Sequence, residues 1–320
     1  MSNTNGATAH VTRKDVSDGL LSIGMSAGDT VVVHSSLSKF GTVEDGPDAV
    51  IDALQNVITS EGTIVLPTFS AHTHYFAEAL ALVRGVNGTG SGVGIVFEGS
   101  LRELYDAMVP LSEAVEPGWD FPFTDTADLW GHLKGDGLDR LGWDIALLRD
   151  DQERVRLTRN AAPLTAEDVV PWRMPVWTGA IPARLSTRTD AARSHQYSGS
   201  FTAWGRLTDS FIGDHDNRPD QSLSSHPLHR AKEAGGKIAL LGVDHTSNST
   251  IHIAQQVVLA NRNLALVGGG TEFVGNFQNV DKPLDACGGQ QRGVIGQADV
   301  RLVDTARLYD VVDRILGERV

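Results

Sequence analysis

The segment Val31-Val32-Val33-His34-Ser35-Ser36-Leu37-Ser38 constrains this chain more than any other. Three β-branched apolar residues run into a His-Ser-Ser turn, the pattern of a buried strand that delivers polar groups to its end. Gly41 and the Gly46-Pro47 step punctuate the next stretch. Pro47 suits the first turn of a helix, where its missing N–H costs nothing. Val50, Ile51, Leu54, Val57 and Ile58 then share one apolar face of a helix running from about Asp48 to Ile58. Glu61-Gly62 turns the chain, and Thr63 to Pro67 reads as a second buried strand. Strand, helix and strand in so short a stretch predict a βαβ unit with parallel strands and a right-handed crossover. Ligands of such folds collect beyond the carboxyl ends of the strands.

The second half repeats these signals. Gly236 to Gly242 reads as a core strand, and Thr246-Ser247-Asn248-Ser249 suits a helix N-cap before the apolar stripe Ile251, Ala254, Val257 and Val258. Ala298 to Val303 alternates like a strand, and Thr305 to Leu316 carries a helical stripe. Near the start, Val16, Leu20 and Ile23 space a short helix over Asp15 to Met25. The middle lacks a clean period. It holds a glycine-rich stretch from Gly85 to Gly94, a helix around Gly99 to Met108, and a Trp-, Gly- and Asp-rich segment from Trp119 to Trp143. Trp119, Trp130, Trp143, Trp172 and Trp177 are expected to build local core, with one or two walling a pocket. The spacing Gly88-x-Gly90-x-Gly92-x-Gly94 follows no clear strand and is a poor phosphate loop.

At 320 residues the chain can bury one large core. We expect residues 1–10 to be a flexible, polar N-terminus and residues 11–320 to form a single α/β domain with an elaborated insert at about 72–172. The net charge of −13 argues against a nucleic-acid surface, which needs a basic patch. The single cysteine, Cys287, allows no intrachain disulfide and suits a reducing cytoplasm; its expected state is a buried small residue. The N-terminus lacks the apolar core of a signal peptide, and no apolar run reaches the roughly 18 residues of a membrane span. A small-molecule substrate is expected, with no nucleic acid and no membrane, and a homodimer is allowed.

Two blocks of the sequence resemble the aminoglycoside 3-N-acetyltransferase superfamily. The first is Val33-His34-Ser35-Ser36-Leu37-Ser38 with Gly41, Val43 and the apolar helix, followed by Gly62 through Thr68-Phe69. The second runs from Gly179-Ala180-Ile181-Pro182 through Arg193-Ser194 and Ser200-Phe201-Thr202-Ala203-Trp204-Gly205. It continues through Pro227-Leu228, Gly235 to Val243, Asn248-Ser249-Thr250-Ile251-His252 and Gly296-Gln297-Ala298. Their order and spacing match over roughly two thirds of the chain.

The resemblance implies the α/β fold of that family, with a mixed, largely parallel central sheet and flanking helices. It also implies direct transfer of an acyl group from acetyl-coenzyme A, or another short acyl-coenzyme A, to an amine, with no covalent enzyme intermediate and no metal. The amine would belong to an aminoglycoside-like compound or a biosynthetic small molecule, so antibiotic resistance or biosynthesis is the expected setting. The first block lines the coenzyme site in the family, which makes His34, Ser35, Ser36, Leu37, Gly41, Val43 and Thr68 the candidate coenzyme contacts. An attacking amine must lose a proton, which calls for a base tuned near neutrality, and histidine is the usual choice. The thioester oxygen gains charge and needs donors, which Ser35, Ser36 and Thr68 can supply.

The chain departs from the family pattern where that base is expected. The family's Arg-Ser-x-His-Pro becomes Arg193-Ser194-His195-Gln196-Tyr197, which leaves Gln196 at the histidine position and His195 one residue early. A one-residue shift in an extended segment reverses the side chain. Ser224-Ser225-His226-Pro227 stands where a Glu precedes Ser-Pro, and Ile253-Ala254-Gln255 stands where Ile-Ala-Glu follows the histidine. The middle region is also longer than is typical. His195, His226 and His252 are therefore the candidate bases, and Gln196, Asp244, His245 and Asn248 the candidate acceptor contacts.

Two other readings compete. One is a non-catalytic or repurposed binder on the same fold, motivated by the missing base and acids. The other is a zinc-dependent amidohydrolase, because His72-Thr73-His74 follows the Ile64–Pro67 strand closely and a His-x-His at a strand end can open a metal site.

Overall fold

A computed structural model describes residues 9–85, 94–115, 121–148, 154–160, 164–196, 199–216, 223–262 and 276–317. Of the expected flexible start at residues 1–10, residues 1–8 lie outside the described residues, as do residues 86–93 of the glycine-rich stretch, while His10 pairs in a short strand.

In chain order the first elements are β1 (His10–Val11), α1 (Arg13–Ser22), β2 (Thr30–Ser35), β3 (Thr42–Val43), α2 (Pro47–Ile58), β4 (Thr63–Pro67) and α3 (His72–Val83). The middle supplies β5 (Gly94–Ser100), α4 (Leu101–Val115), α5 (Thr126–Gly135), β6 (Trp143–Leu148) and β7 (Arg154–Arg159). Then come α6 (Ala180–Leu185), β8 (Ala192–Arg193), β9 (Phe201–Gly205), α7 (Thr208–Ile212), α8 (Pro227–Glu233) and β10 (Lys237–Leu241). The chain finishes with α9 (Thr250–Asn261), α10 (Asp281–Ala286), β11 (Gln290–Ile295), β12 (Ala298–Asp304) and α11 (Thr305–Gly317).

A seven-stranded sheet in the order β11-β12-β10-β2-β4-β9-β8 divides the main body. The sheet is mixed, as expected, but it is not largely parallel. Parallel pairing is confined to the central trio β10-β2-β4, and both flanks pair antiparallel. β12 follows β11 as a hairpin and β9 returns against β4, so neither needs a crossover helix.

Alternation along the strands sends their side chains to two layers. Val31, Val33, Ile64, Leu66, Ala239 and Leu241 pack one face against α1, α2 and α6. Val32, Val65, Ile238, Leu240 and Phe201 pack the other against α7, α8, α9 and α11. His34 falls on the same face as Val32, and Ser35 on the opposite face. The middle of the chain forms a third core from Ala71 to Met174, around the three-stranded sheet β5-β7-β6 and the helices α3, α4 and α5.

Two buried charges hold this third core. Arg159 on β7 donates from Nε to Glu78 of α3 at 2.8 Å, and Trp143 Nε1 donates to the same carboxylate at 3.1 Å. His74 Nε2 lies 3.3 Å from Glu78 Oε1. Burial alone would push the Glu78 carboxyl up, but hydrogen bonds from His74 and Arg159 outweigh it and hold the group below its ordinary value.

The His-x-His reading is corrected by this arrangement. Residues 72 to 74 open helix α3 and do not end a strand. Two helical positions two apart point about 200° around the axis from each other and do not face one ion. His74 is spent on Glu78, while the ring of His72 packs edge-on to Phe123 at 6.3 Å. Among the described residues, no group of three or more His, Cys, Asp or Glu side chains could hold a metal ion. No described helix is long and apolar enough to cross a membrane.

Candidate active site

Because β10, β2 and β4 run parallel, their carboxyl ends open on one edge of the sheet, and two adjoining cavities lie there. The inner one, about 240 Å³, is lined by Val33, His34 and Ser35 from β2, Pro67 and Phe69 from the end of β4, and Val243 beyond β10. Ser247 and Ser249 close it from the start of α9, and Trp177, Thr178 and Pro182 from the start of α6. The outer cavity, about 520 Å³, takes Ser35 to Ser38, Gly41, Val43 and Gly46 on one side and Arg140 and Trp177 to Ala180 on the other. Ser35, Trp177 and Thr178 belong to both.

Local backbone chemistry shapes these walls. Gly41 has φ +99°, and a Cβ there would lie 2.5 Å from the Ala9 carbonyl oxygen. Gly242 ends β10 with φ +71°, and a Cβ would meet Lys39 Cβ at 2.7 Å and the Ser36 carbonyl oxygen at 3.0 Å. Only glycine at 242 lets the Ser36 turn close down on the strand end. Trp177 N–H donates to the Phe69 carbonyl at 3.1 Å, and Thr178 Oγ1 donates to the Pro67 carbonyl at 2.7 Å. These two bonds fix the wall shared by the cavities.

Of the expected coenzyme contacts, His34, Ser35, Ser36, Leu37, Gly41 and Val43 all line these cavities. Thr68 does not. It is buried, its hydroxyl pairs with Thr202 Oγ1 at 3.1 Å, and its carbonyl accepts from Arg193 at 2.7 Å. Arg193 also donates to the Met174 carbonyl and to Ser200 Oγ, so it ties β8 to the strand end beside the site.

His34 is buried, and its Nε2 has no hydrogen-bond partner. Burial, assisted by nearby His245, pushes its pKa down to about 4, which leaves the imidazole neutral at pH 7. The Ser35 hydroxyl is likewise buried without a partner.

The other expected residues sit elsewhere. His195 stacks on Trp172 at 4.2 Å on an exposed surface. Gln196 turns back to accept from Gly199 N–H. His226 caps α8, accepting from Leu228 N–H at 3.2 Å, and lies 5.5 Å from the rings of both Phe201 and His215. Burial pushes His226 down to about 3. Phe201 packs edge-on to Phe69, so His226 stands one ring behind the cavity wall. His252 packs against Phe277 at 4.7 Å. Neither His195, His226 nor His252 lines either cavity.

Asp244, His245 and Asn248 build the turn before α9. Asp244 accepts from Thr246 N–H at 2.9 Å, while buried His245 bonds Gln290 at 3.2 Å and Asn248 at 3.3 Å. Between them, Ser247 and Ser249 are the residues that reach the inner cavity. Phe69 and Arg140 were not singled out for a site by the sequence, and Trp177 was marked only as one of five tryptophans of which one or two would wall a pocket, as it does. Phe69 and Gly179-Ala180 lie in the matched blocks, whereas nothing in the sequence around Arg140 marks it.

The chain belongs to the aminoglycoside 3-N-acetyltransferase family, whose model matches residues 32–81 and 170–317, more than half of its length. It is an acetyltransferase on that ground. Along 95% of its length it is 24% identical to the SPbeta prophage-derived aminoglycoside N(3')-acetyltransferase-like protein YokD of Bacillus subtilis (strain 168), covering 91% of that protein. It is 23% identical to aminoglycoside N(3)-acetyltransferase VII of Streptomyces paromomycinus, with 95% and 89% of the two chains covered. Its fold matches the solved structure of AAC-IIIb, binary with CoASH, with a TM-score of 0.59 at 19% identity, over 97% of this chain and 98% of that one.

Proposed function

We propose that this protein transfers the acetyl group of acetyl-coenzyme A directly to an amine of an aminoglycoside-like small molecule, with a histidine taking the proton. The observation that carries the reading is the pair of joined cavities at the carboxyl ends of β10, β2 and β4, lined by six of the seven residues expected to touch the coenzyme. It is supported by the family match and by the coenzyme in the AAC-IIIb structure.

In this reading the coenzyme lies along the outer cavity and its thioester reaches the junction at Ser35. The amine nitrogen attacks the thioester carbonyl carbon from the inner cavity. A C–N bond forms, the C–S bond breaks, and coenzyme A leaves as thiolate. The Ser35 hydroxyl donates to the carbonyl oxygen as it gains charge. His34 takes the proton from the amine and returns it to the thiolate. His34 is chosen over His195, His226 and His252 because it is the histidine on the cavity wall. A neutral imidazole is ready to accept, and the negative charge that develops beside it raises its basicity when the proton must move.

Calorimetric titration with acetyl-coenzyme A, then thiol release against a panel of amines, tests the reaction. Binding followed by release is expected. No binding would remove the coenzyme from the reading. For the base, His34→Gln should lower turnover by about 10²-fold or more while changing coenzyme affinity far less. Single alanine variants at His195, His226 and His252 should each lose less than about tenfold. A larger loss at any of those three than at His34 would move the base there.

A further inference from the structure

Arg140 enters the outer cavity from a part of the chain that the family model leaves out, between residues 81 and 170. It sits on the 3₁₀ turn Leu138–Leu141, which is bounded by Gly137 and Gly142, both left-handed. Leu138 is buried in the third core and Leu141 packs against it, so the turn is anchored while the Arg140 side chain stays exposed. Among the described residues no carboxylate pairs with its guanidinium. The rest of the described lining of this cavity is uncharged, in a chain whose net charge is −13. A polyanion approaching so acidic a protein needs a local cation to hold it.

We infer that Arg140 binds a phosphoryl group of the coenzyme, so that the middle segment closes one wall of the coenzyme site. This rests on the proposed function, in which the coenzyme occupies the outer cavity. A planar guanidinium offers two parallel donors to a phosphate, which an exposed, unpaired arginine can present without breaking another contact. Phosphate is the chemistry assigned; whether it is the ribose 3'-phosphate or the pyrophosphate is read from the ligand series.

The test is titration of the whole protein and its Arg140→Ala and Arg140→Lys variants with coenzyme A, dephospho-coenzyme A and pantetheine at fixed ionic strength. Wild type should bind coenzyme A, and Arg140→Ala should bind it about tenfold or more weakly, with Arg140→Lys between. The loss should disappear with pantetheine, which has no phosphate. If it also disappears with dephospho-coenzyme A, the partner is the 3'-phosphate; if it persists there, the pyrophosphate. Raising salt should weaken coenzyme A binding by wild type more than by Arg140→Ala. An alanine variant that binds coenzyme A within about twofold of wild type, or that loses pantetheine equally, overturns the assignment. Wild type that binds none of the three ligands instead sinks the coenzyme reading, and this inference with it. Arg140 is exposed, so thermal melting of the variants should match wild type.

Discussion

Glu78→Ala should cost about 3–5 kcal/mol of stability, measured by urea unfolding. The carboxylate is 2% exposed and accepts from Arg159, itself 2% exposed, and from Trp143 Nε1, with His74 at 3.3 Å. Removing it takes the Glu78 counter-charge away from a guanidinium buried in the third core, and that loss is the larger part of the expected effect. Glu78→Gln keeps the volume and one acceptor but not the charge, and should fall between wild type and alanine. A loss below about 1 kcal/mol for alanine would mean that water or a rearranged neighbour neutralises Arg159. The cluster and the Arg140 turn belong to the same core, so the alanine variant should also weaken coenzyme binding if Arg140 acts as inferred.

The second large effect is acid lability. His34 and His215 are both buried, with pKa values pushed down to about 4 chiefly by burial, and burial likewise brings His72 to about 4 and His226 to about 3. An unfolded histidine titrates near 6.5, so below that pH the unfolded chain takes up protons that the folded chain refuses. Stability is therefore full above about pH 6.5 and falls as pH drops toward 4. Each such group costs about 2 kcal/mol by pH 5. Several together rival the 5–15 kcal/mol that holds an ordinary fold. Carboxylates such as Glu78 and Asp48 are held below their ordinary values and act only at lower pH, so the window belongs to the histidines. Urea midpoints from pH 7.5 to 4.5 should fall steeply below 6.5; a flat profile would show that these rings are protonated in place.

The sequence was most legible where one face or both faces of an element are buried. The strand Thr30–Ser35, the helix Pro47–Ile58 and the strands Thr63–Pro67 and Lys237–Leu241 all follow from apolar runs and periodicity, and they carry the site's edge of the sheet. Strand direction was less legible. The βαβ unit predicts parallel neighbours, but β9 and β12 join antiparallel, and β11, with exposed Gln291 and Arg292, carries no strand signal. In the middle, His72-Thr73-His74 reads as a strand end because the helix starts only five residues after Pro67 and has no side-chain cap. Arg140 was invisible for a different reason: its place depends on Leu138 and Leu141 packing into a core assembled from distant segments. Ser247 and Ser249 reach the cavity, while His245 and Asn248 between and beside them turn inward to Gln290 and to each other. Residue type suggested the reverse.

The backbone bond from Trp177 to the Phe69 carbonyl and the hydroxyl bond from Thr178 to the Pro67 carbonyl make one short segment the partition between the two chambers. A partition has two sides. With coenzyme in one chamber and acceptor in the other, as proposed, the affinities of donor and acceptor are expected to be linked through the shared wall at Trp177 and Thr178. On that reading, selection for a new acceptor acting at these two residues would also change the grip on the donor.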